Sequence, residues 1–173
     1  MGKTKIVVEL SPSGISAAIR AVEAYRKRIE RLAEELRLQV AEQLRLYAES
    51  AFQSSMVDVL LSGDARNAEV TVEVSDSDGI TLVIANGEDA VFAEFGAGVY
   101  FNTPAGSSLH PEGERLGFTI GSFGKGNGVK NVWGYYADGE LRLTHGTPAS
   151  MPLYTAARLV CSDIETIARG VFT

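Results

Sequence analysis

The chain has 173 residues, 45% of them hydrophobic and 22% charged, which suits one globular domain and excludes a disordered chain. Its single cysteine, Cys161, excludes a disulfide framework and a cysteine-rich metal site. The formal net charge is −6, and neither a signal-peptide core nor a run of about 18 apolar residues occurs, so we expect a protein made in the cytosol that does not span a membrane.

The charge is distributed unevenly along the chain. Residues 1–60 carry nine basic and eight acidic side chains, whereas residues 61–173 carry seven and fourteen. Ten carboxylates and one base, Arg66, lie within 64–114, so this region repels phosphate. The basic run at 26–31 has glutamates one helical turn away and is expected to be a solvated helix face. Sequence-specific binding of DNA or RNA is therefore not expected.

The N-terminal part predicts a short strand and then a long helix. Residues 4–10 are rich in β-branched side chains, which favours a strand. Ser11 and Pro12 are typical of a helix N-cap and a first helical position. The apolar residues that follow recur about every 3.6 positions, which predicts one stripe along a straight helix over 11–55. The residues of this stripe are Ile15, Ile19, Val22, Tyr25, Ile29, Leu32, Leu36, Val40, Leu44, Tyr47 and Ala51.

This helix is too long to be covered by its own domain. About forty residues of helix measure about 60 Å, whereas a compact domain of this size is about 40 Å across. No glycine or proline occurs between Gly14 and Gly63. Either the helix bends and packs as two pieces on one core, or part of it projects and its stripe lies against another copy or another protein. The interface residues predicted on the stripe are Tyr25, Ile29, Leu32 and Leu36.

After Gly63 the apolar period changes from 3.6 to 2, which predicts a β-hairpin with one buried face. The turn falls at 76–79, and Asn86-Gly87 ends the second strand. The alternating apolar residues are Val70, Val72 and Val74 on the first strand and Ile80, Leu82 and Ile84 on the second.

A short helix over Glu88–Phe95, stopped by Gly96, is predicted next, and it leads into a loop. The inward residues of this helix are expected to be Val91, Phe92 and Phe95. Residues 96–128 hold nine of the eighteen glycines and no sustained periodicity, so we expect a flexible Gly-rich loop. Aromatic residues among glycines are costly to bury in a free loop, so this loop is expected to order against a neighbouring subunit. The interface residues predicted on it are Tyr100, Phe101, Phe118 and Phe123.

The C-terminal part predicts a second hairpin and a final helix. Residues 132–137 and 140–144 flank Asp138-Gly139, a dipeptide that favours a type I′ turn. Pro152 opens the helix. Its inward residues are expected to be Leu153, Ala156, Ala157, Val160, Ile164 and Ile167.

The order of elements predicts a single α+β domain over residues 1–173. It consists of a long N-terminal helix, a small antiparallel β-sheet of two hairpins, a short helix, a long Gly-rich loop and a C-terminal helix. The helices are expected to pack on the sheet.

No catalytic, cofactor-binding or metal site is predicted. The segment Gly121–Gly128 resembles a phosphate-binding loop but departs from its pattern at two positions. The two histidines, His110 and His145, share no metal-ligand spacing. Cys161 lies in the last helix, where a small buried hydrophobe is expected rather than a nucleophile.

Two short segments together carry a resemblance. Glu94 and Phe95 end the short helix, Gly96 and Gly98 follow it, and a Gly-Thr-Pro run later leads into the final helix. The residues of this second segment are Gly146, Thr147, Pro148 and Pro152. In this order, after a long charged helix and a β-hairpin, the two segments resemble the tail-completion or head–tail joining (neck) family of long-tailed bacteriophages and prophages.

The resemblance implies a non-enzymatic structural protein without a cofactor. Proteins of this family assemble as rings, usually hexamers, between the head connector and the tail tube of the virion, and DNA passes through the ring lumen. The implied partners are copies of the chain itself, the head connector or adaptor protein, and the tail tube or tail terminator protein. Assembly would take place in the bacterial host cytoplasm. An acidic region, 64–114, facing the lumen would let the duplex slide, because basic contacts would add a salt-dependent binding term.

The resemblance also implies structural roles for the motif residues. Glu94, Phe95 and Gly96 would anchor the short helix to the sheet. Gly96 and Gly98 would release the chain into the loop. The Gly146–Pro148 run would set the tight start of the last helix.

Two alternative functions stay open at the level of sequence. One is a small hydrolase or nucleotide-binding enzyme that uses the Gly121–Gly128 loop with His110 or His145. The other is a different virion or tail-tube structural protein.

Overall fold

The first element of the fold is one unbroken helix. The computed structural model describes residues 9–101, 108–118 and 130–172. Helix α1 spans Pro12–Gln53, and the Ser11 hydroxyl accepts the Gly14 backbone N–H at 3.1 Å, which confirms the predicted N-cap. The strand predicted at 4–10 lies almost entirely outside the described residues.

The remaining elements confirm the α+β class. They are β1 (Met56–Val57), β2 (Val59–Leu60), β3 (Arg66–Asn67), β4 (Thr71–Ser77), β5 (Ile80–Asn86), α2 (Ala90–Phe95), β6 (Trp133–Ala137), β7 (Glu140–Gly146) and α3 (Pro152–Phe172). All strand pairs are antiparallel. Within the described residues the strands form three small sheets, β1–β3, β4–β5 and β2–β7–β6. Both predicted hairpins are present, but they lie in separate sheets. The free edge of β7 pairs with the short strand β2 and not with the first hairpin. Strand β2 has only two residues, so apolar periodicity in the sequence does not reveal it.

The register of the first hairpin places its apolar residues differently from the prediction. Asp78 and Gly79 form a two-residue turn with positive φ at both positions, and this turn pairs Ser77 with Ile80. Val72 therefore lies opposite Ala85 on the inner face, whereas Ile80 and Leu82 fall on the outer face and are 63% and 53% exposed. The sequence expectation that these two residues are buried is wrong.

The core lies where α1, α3, α2 and the inner face of the β4–β5 hairpin meet. Its buried residues are Ala48, Phe52, Val57, Ala68, Val72, Ala90, Ala93 and Ala156. Helix α3 packs along the C-terminal part of α1, and the Tyr47 hydroxyl donates to an Asp163 carboxylate oxygen at 2.7 Å. Arg37 on α1 forms an ion pair with Asp76 on β4 at 3.2 Å. These contacts fix the middle and the end of α1 to the rest of the chain.

The N-terminal part of α1 contributes nothing to this core. The buried residues of α1 are Ala41, Ala48 and Phe52, and residues 12–36 include none. Ile19 and Val22 of the predicted stripe are 54% and 53% exposed. A helix of 42 residues measures about 63 Å, so it exceeds the width of a compact domain of this size.

The short helix α2 buries a different face from the predicted one. Ala90, Ala93 and Glu94 are buried, whereas Val91 and Phe92 are exposed. The physical reason is that α2 approaches the chain just before α3 closely enough for the Ser150 backbone N–H to donate to the Ala93 carbonyl, which small alanines permit. Gly96, at φ 78°, ends α2 as predicted.

Helix α3 agrees with the prediction in its start and in part of its inner face. It begins at Pro152, and Ala156 and Val160 are buried. Ile164 is exposed, and Cys161 is exposed as well, so the expectation that this cysteine is buried is wrong. The reason is that α3 packs with one side along α1, and position 161 lies on the other side.

Candidate functional site

The two motif segments meet in space and form one structural unit, the motif junction, which comprises residues 93–98 and 145–154. Ala97 and Thr147 exchange backbone hydrogen bonds of 2.8 and 2.9 Å. The Ser150 and Met151 backbone N–H groups both donate to the Ala93 carbonyl, at 2.9 and 3.2 Å. Segments that are fifty residues apart in sequence are therefore held together by main-chain hydrogen bonds.

Two glycines allow this close approach. Gly146 and Gly98 have φ values of 96° and 80°, which favour glycine. A Cβ atom on Gly146 would lie 2.1 Å from the Ala97 carbonyl oxygen, and one on Gly98 would lie 2.9 Å from the His145 carbonyl oxygen. Glycine is required at both positions because the two segments of the chain cross there.

Glu94 caps helix α3 from outside that helix. Its carboxylate accepts the backbone N–H groups of Leu153 at 2.7 Å and Tyr154 at 2.9 Å. Pro152, the first helical residue, has no N–H to satisfy. The buried negative charge thus lies at the positive end of α3 and satisfies the donors that a helix start leaves free. The resemblance implied that Glu94 anchors the short helix to the sheet, but its carboxylate instead binds the start of α3, a contact that spacing in the sequence does not reveal.

His110 completes this buried cluster. Its Nδ1 accepts the Glu112 backbone N–H at 3.0 Å, so the proton of the neutral ring is on Nε2. That Nε2–H donates to Glu94 at 3.0 Å, and the ring packs against Phe95 with centroids 4.5 Å apart. His110 therefore ties the described part of the Gly-rich loop, 108–118, to α2 and α3.

The chemistry of this cluster is structural. Both Glu94 oxygens and both His110 nitrogens are occupied by hydrogen bonds within the chain, so neither residue offers a free base or acid. Among the described residues no group of three metal-ligating side chains occurs. The predicted loop Gly121–Gly128 lies outside the described residues. His145 donates from Nδ1–H to the Asn131 carbonyl oxygen at 3.0 Å, and its ring stacks on Tyr100.

A shallow apolar cavity of about 390 Å³ opens beside the motif junction, between α2, α3 and the 108–118 segment. Glu94, His110 and Glu112 contribute its polar lining. Its other lining residues are Ala85, Ala90, Val91, Phe95, Leu116, Leu153 and Tyr154. The cavity therefore offers mainly apolar surface.

Thr147, another motif residue, anchors the chain that follows α1. Its hydroxyl accepts the Asp58 backbone N–H at 3.0 Å. Asp58 has φ 54° and its carboxylate accepts the Tyr135 hydroxyl. This hydrogen bond, together with burial, raises the pKa of Tyr135. Sequence analysis missed Asp58 and Tyr135, because nothing in their spacing indicates that β6 returns to the end of α1.

A second buried carboxylate fixes the start of α2. Asp89 accepts two hydrogen bonds from the Arg66 guanidinium, at 2.5 and 2.8 Å, and one from the Glu69 backbone N–H at 2.9 Å. Burial alone would raise the pKa of Asp89, but the hydrogen bonds from Arg66 and Glu69 outweigh it and lower that pKa below its ordinary value. Arg66, the one basic residue of the acidic region 64–114, therefore forms its ion pair within the chain, with Asp89.

The predicted interface residues are dispersed over the surface. Tyr25 and Tyr100 are exposed, and Phe123 lies outside the described residues. The half-buried ones are Ile29, Leu32, Leu36, Phe101 and Phe118. Phe118 stacks on Phe95 of its own chain with centroids 3.9 Å apart, which gives it an intramolecular partner. Pro148 is half-buried between Thr147 and Pro152.

Comparisons with known proteins identify no protein related to this chain. No protein-family profile, no curated protein and no solved structure matches the chain. Within its described residues, every helix is too polar or too short to serve as a membrane span. The features of the described residues that bear on function are therefore the motif junction and the exposed stripe of α1.

Proposed function

We propose that this chain is a non-enzymatic structural protein of the neck of a long-tailed bacteriophage or prophage. In this proposal, copies of the chain form a ring, a hexamer by the resemblance, between the head connector and the tail tube. The DNA passes through the ring lumen, and the chain is a component of the virion.

The observation that carries the proposal is the uncovered apolar stripe of α1. Residues 12–36 include no buried residue, yet Ile15, Ile19, Val22 and Tyr25 expose large apolar side chains at helical spacing. Removing the apolar surface of these side chains from water lowers the free energy by about 25 cal/mol for each Å² that is buried. A continuous exposed stripe of this kind marks a protein interface rather than a free surface.

The motif junction supports assembly rather than catalysis. The polar side-chain atoms of Glu94, His110 and Thr147 form hydrogen bonds within their own chain, to backbone N–H groups and, for Glu94 and His110, to each other. They hold α2, α3 and the loop at 108–118 in fixed relative positions. A rigid subunit that presents loops and helices to neighbours is what a ring component needs.

The charge distribution supports a lumen through which DNA slides. In the acidic region, Asp64, Glu69, Glu73, Glu88 and Glu114 are exposed, whereas Arg66 is bound to Asp89. A surface of this kind releases no counterions from DNA and gains no affinity for it. Passing DNA would therefore not be retained.

Size-exclusion chromatography with light scattering tests the proposal. We expect the purified chain to form a closed oligomer, or to do so when the head connector or tail-tube protein of the same phage is added. A chain that stays monomeric and binds neither protein would contradict the proposal. The position of the gene is an independent test, because a neck gene should lie between the capsid genes and the tail-tube gene.

A further inference from the structure

The outer face of the β4–β5 hairpin is a second uncovered apolar surface. Ile80, Leu82 and Ile84 lie along β5 on the side opposite the core, since Val72 and Ala85 point inward. On the same outer face Glu73 lies opposite Ile84 and accepts a hydrogen bond from the Asn86 side chain at 2.7 Å. We refer to this surface, formed by β4 and β5 with Glu69, as the outer hairpin face.

The outer hairpin face is acidic as well as apolar. Apart from Asp76, which pairs with Arg37 of its own chain, the exposed carboxylates on the hairpin and at its ends are Glu69, Glu73, Asp78 and Glu88. The guanidinium of Arg66 makes its bidentate pair with the buried Asp89 and interacts with Glu69 only through space, so it leaves Glu73, Asp78 and Glu88 uncompensated. A partner for this face therefore needs an apolar stripe flanked by positive charge.

The free part of α1 has that chemistry. Residues 12–29 carry four basic side chains, Arg20, Arg26, Lys27 and Arg28, and one acidic side chain, Glu23. At 100° per residue, Arg26 and Arg28 fall on opposite sides of the stripe formed by Val22, Tyr25 and Ile29. The ion pair between Arg26 and Glu30 is exposed on both sides and holds Arg26 only weakly.

We propose that residues 12–29 of α1 from one copy dock on the outer hairpin face of a second copy. The hairpin already packs the C-terminal part of α1 of its own chain against its inner face, through Val72 and Val83. Docking on the outer face would place the two strands between two copies of the same helix. A two-stranded sheet gains stability when its second face is covered.

This inference rests on the proposed function and specifies its subunit contact. The two surfaces are different parts of the chain, so the contact is heterologous, and repetition of a heterologous contact generates a ring when the rotation closes. The carboxylates Glu69 and Glu73 would then face a neighbouring helix. Asp64, Glu112 and Glu114, which lie on other segments, are left for the lumen.

Charge reversal tests the contact from both sides. The helix variant carries Arg26→Glu and Arg28→Glu, the hairpin variant carries Glu69→Lys and Glu73→Lys, and a third variant carries all four changes. We expect each double variant to raise the dissociation constant of the oligomer at least tenfold in sedimentation velocity at low salt. The combined variant should return to within about threefold of the wild type, because both charges are reversed together.

A matched control carries two reversals on the exposed part of α3, Arg158→Glu and Arg169→Glu, and should assemble like the wild type. Circular dichroism and urea unfolding establish that every variant folds. If the wild type assembles only with the connector or tail-tube protein, the same variants are compared in that mixture.

Cross-linking identifies the surfaces that meet. In a Cys161→Ser background, Val22→Cys and Leu82→Cys are made in separate chains and mixed under mild oxidation. We expect the mixed disulfide to dominate. A disulfide between two Val22→Cys chains would instead show that the helices pair with each other, and it would overturn the inference.

The outcomes separate the inference from the proposed function. If the wild type assembles and the charge reversals leave its dissociation constant unchanged, this contact is wrong, while the ring proposal stands. If the wild type stays monomeric alone and with both virion proteins, the contact and the ring proposal fail together.

Discussion

At the scale of single residues, Glu94 shows how a charged side chain can be buried at low cost. Its carboxylate lies at the N-terminus of α3, where it receives two backbone N–H groups and the His110 ring. Partial positive charge at a helix start stabilises such an anion. The role is structural, and it ties the two motif segments into one unit.

We expect Glu94→Gln to lower the free energy of unfolding by about 1–3 kcal/mol. The amide keeps the size of the side chain but replaces one acceptor oxygen with a donor, so at least one N–H of α3 loses its partner. Urea unfolding followed by far-UV circular dichroism measures the change. Glu88→Gln, on an exposed residue, is the control and should stay within about 0.5 kcal/mol of the wild type.

Gly146 is the residue at which a side chain is least tolerable. Gly146→Ala meets both a positive φ and a Cβ position 2.1 Å from the Ala97 carbonyl oxygen. Gly63→Ala is the matched control, since Gly63 has φ 91° but nothing within 4 Å of the added Cβ. We expect Gly63→Ala to cost about 1 kcal/mol and Gly146→Ala at least about 1 kcal/mol more. Equal losses in urea unfolding would mean that the two motif segments do not cross closely.

The pH dependence of stability should report the Asp89 site. Because the pKa of Asp89 is lowered in the folded chain, the unfolded chain binds a proton first as the pH falls past the ordinary value of about 3.9. The stabilisation is therefore present above that pH and is lost as the pH falls through the folded pKa. We expect the free energy of unfolding of the wild type to fall more steeply on acidification than that of Asp89→Asn. Asp138→Asn, on a side chain that is 90% exposed, should follow the wild type.

At the scale of elements, α1 is one helix with two different parts. Its C-terminal part supplies Phe52 and Ala48, which are 0% exposed, while residues 12–36 supply none of the core. The two parts have the same periodicity. Only contact with α3 and the hairpin distinguishes them, because these elements are too short to accompany the helix along its whole length.

We therefore expect substitutions in the two parts to have different effects. Ile19→Gln with Val22→Gln should change the free energy of monomer unfolding by less than about 0.5 kcal/mol per site while it weakens assembly. Phe52→Ala should cost about 3–5 kcal/mol, because it leaves a cavity in the core. Urea unfolding, at a protein concentration below that at which the chain assembles, measures the free energy of unfolding of each variant. Sedimentation velocity measures the effect on assembly. A monomer as strongly destabilised by the glutamines as by Phe52→Ala would show that the stripe is covered within the chain.

The hairpins show how far local rules extend. Asp78-Gly79 and Asp138-Gly139 predict the turns, and both residues of each turn have positive φ. The face that each hairpin buries was not predictable in the same way. For β4–β5 both alternating sets are apolar on the second strand, so the one-residue register set by the turn decides that Val83 and Ala85, not Ile80 and Leu82, meet the core.

At the scale of the whole molecule, the net charge of −6 disfavours binding to the negatively charged DNA backbone. We expect no binding of a labelled DNA duplex in fluorescence anisotropy at physiological salt, with a dissociation constant weaker than about 10⁻⁴ M. The variant Glu112→Lys with Glu114→Lys, which adds positive charge to the 108–118 segment, should gain weak affinity that falls with added salt. Tight, salt-dependent binding by the wild type would contradict a lumen that lets DNA slide.

The sequence by itself determined the α+β class, the bounds of α1 to within a residue or two, the start of α3, both hairpin turns and the glycine that ends α2. These features depend on neighbours a few positions away: caps, turns and periodicity act locally. The sequence also contained the two motif segments, and it suggested structural roles for them. It left the function as a proposal that rests on a resemblance and on an apolar stripe.

Only the tertiary structure decided what those segments do together. The capping of α3 by Glu94, the bond of His110 to Glu94, the crossing of Gly146 and Ala97, and the return of Tyr135 to Asp58 join residues that are 16 to 77 positions apart. Such contacts depend on how the chain folds back, which no local pattern encodes. For the same reason, only the tertiary structure decided between a bent helix and a projecting one: α1 is unbroken, and residues 12–36 include no buried residue.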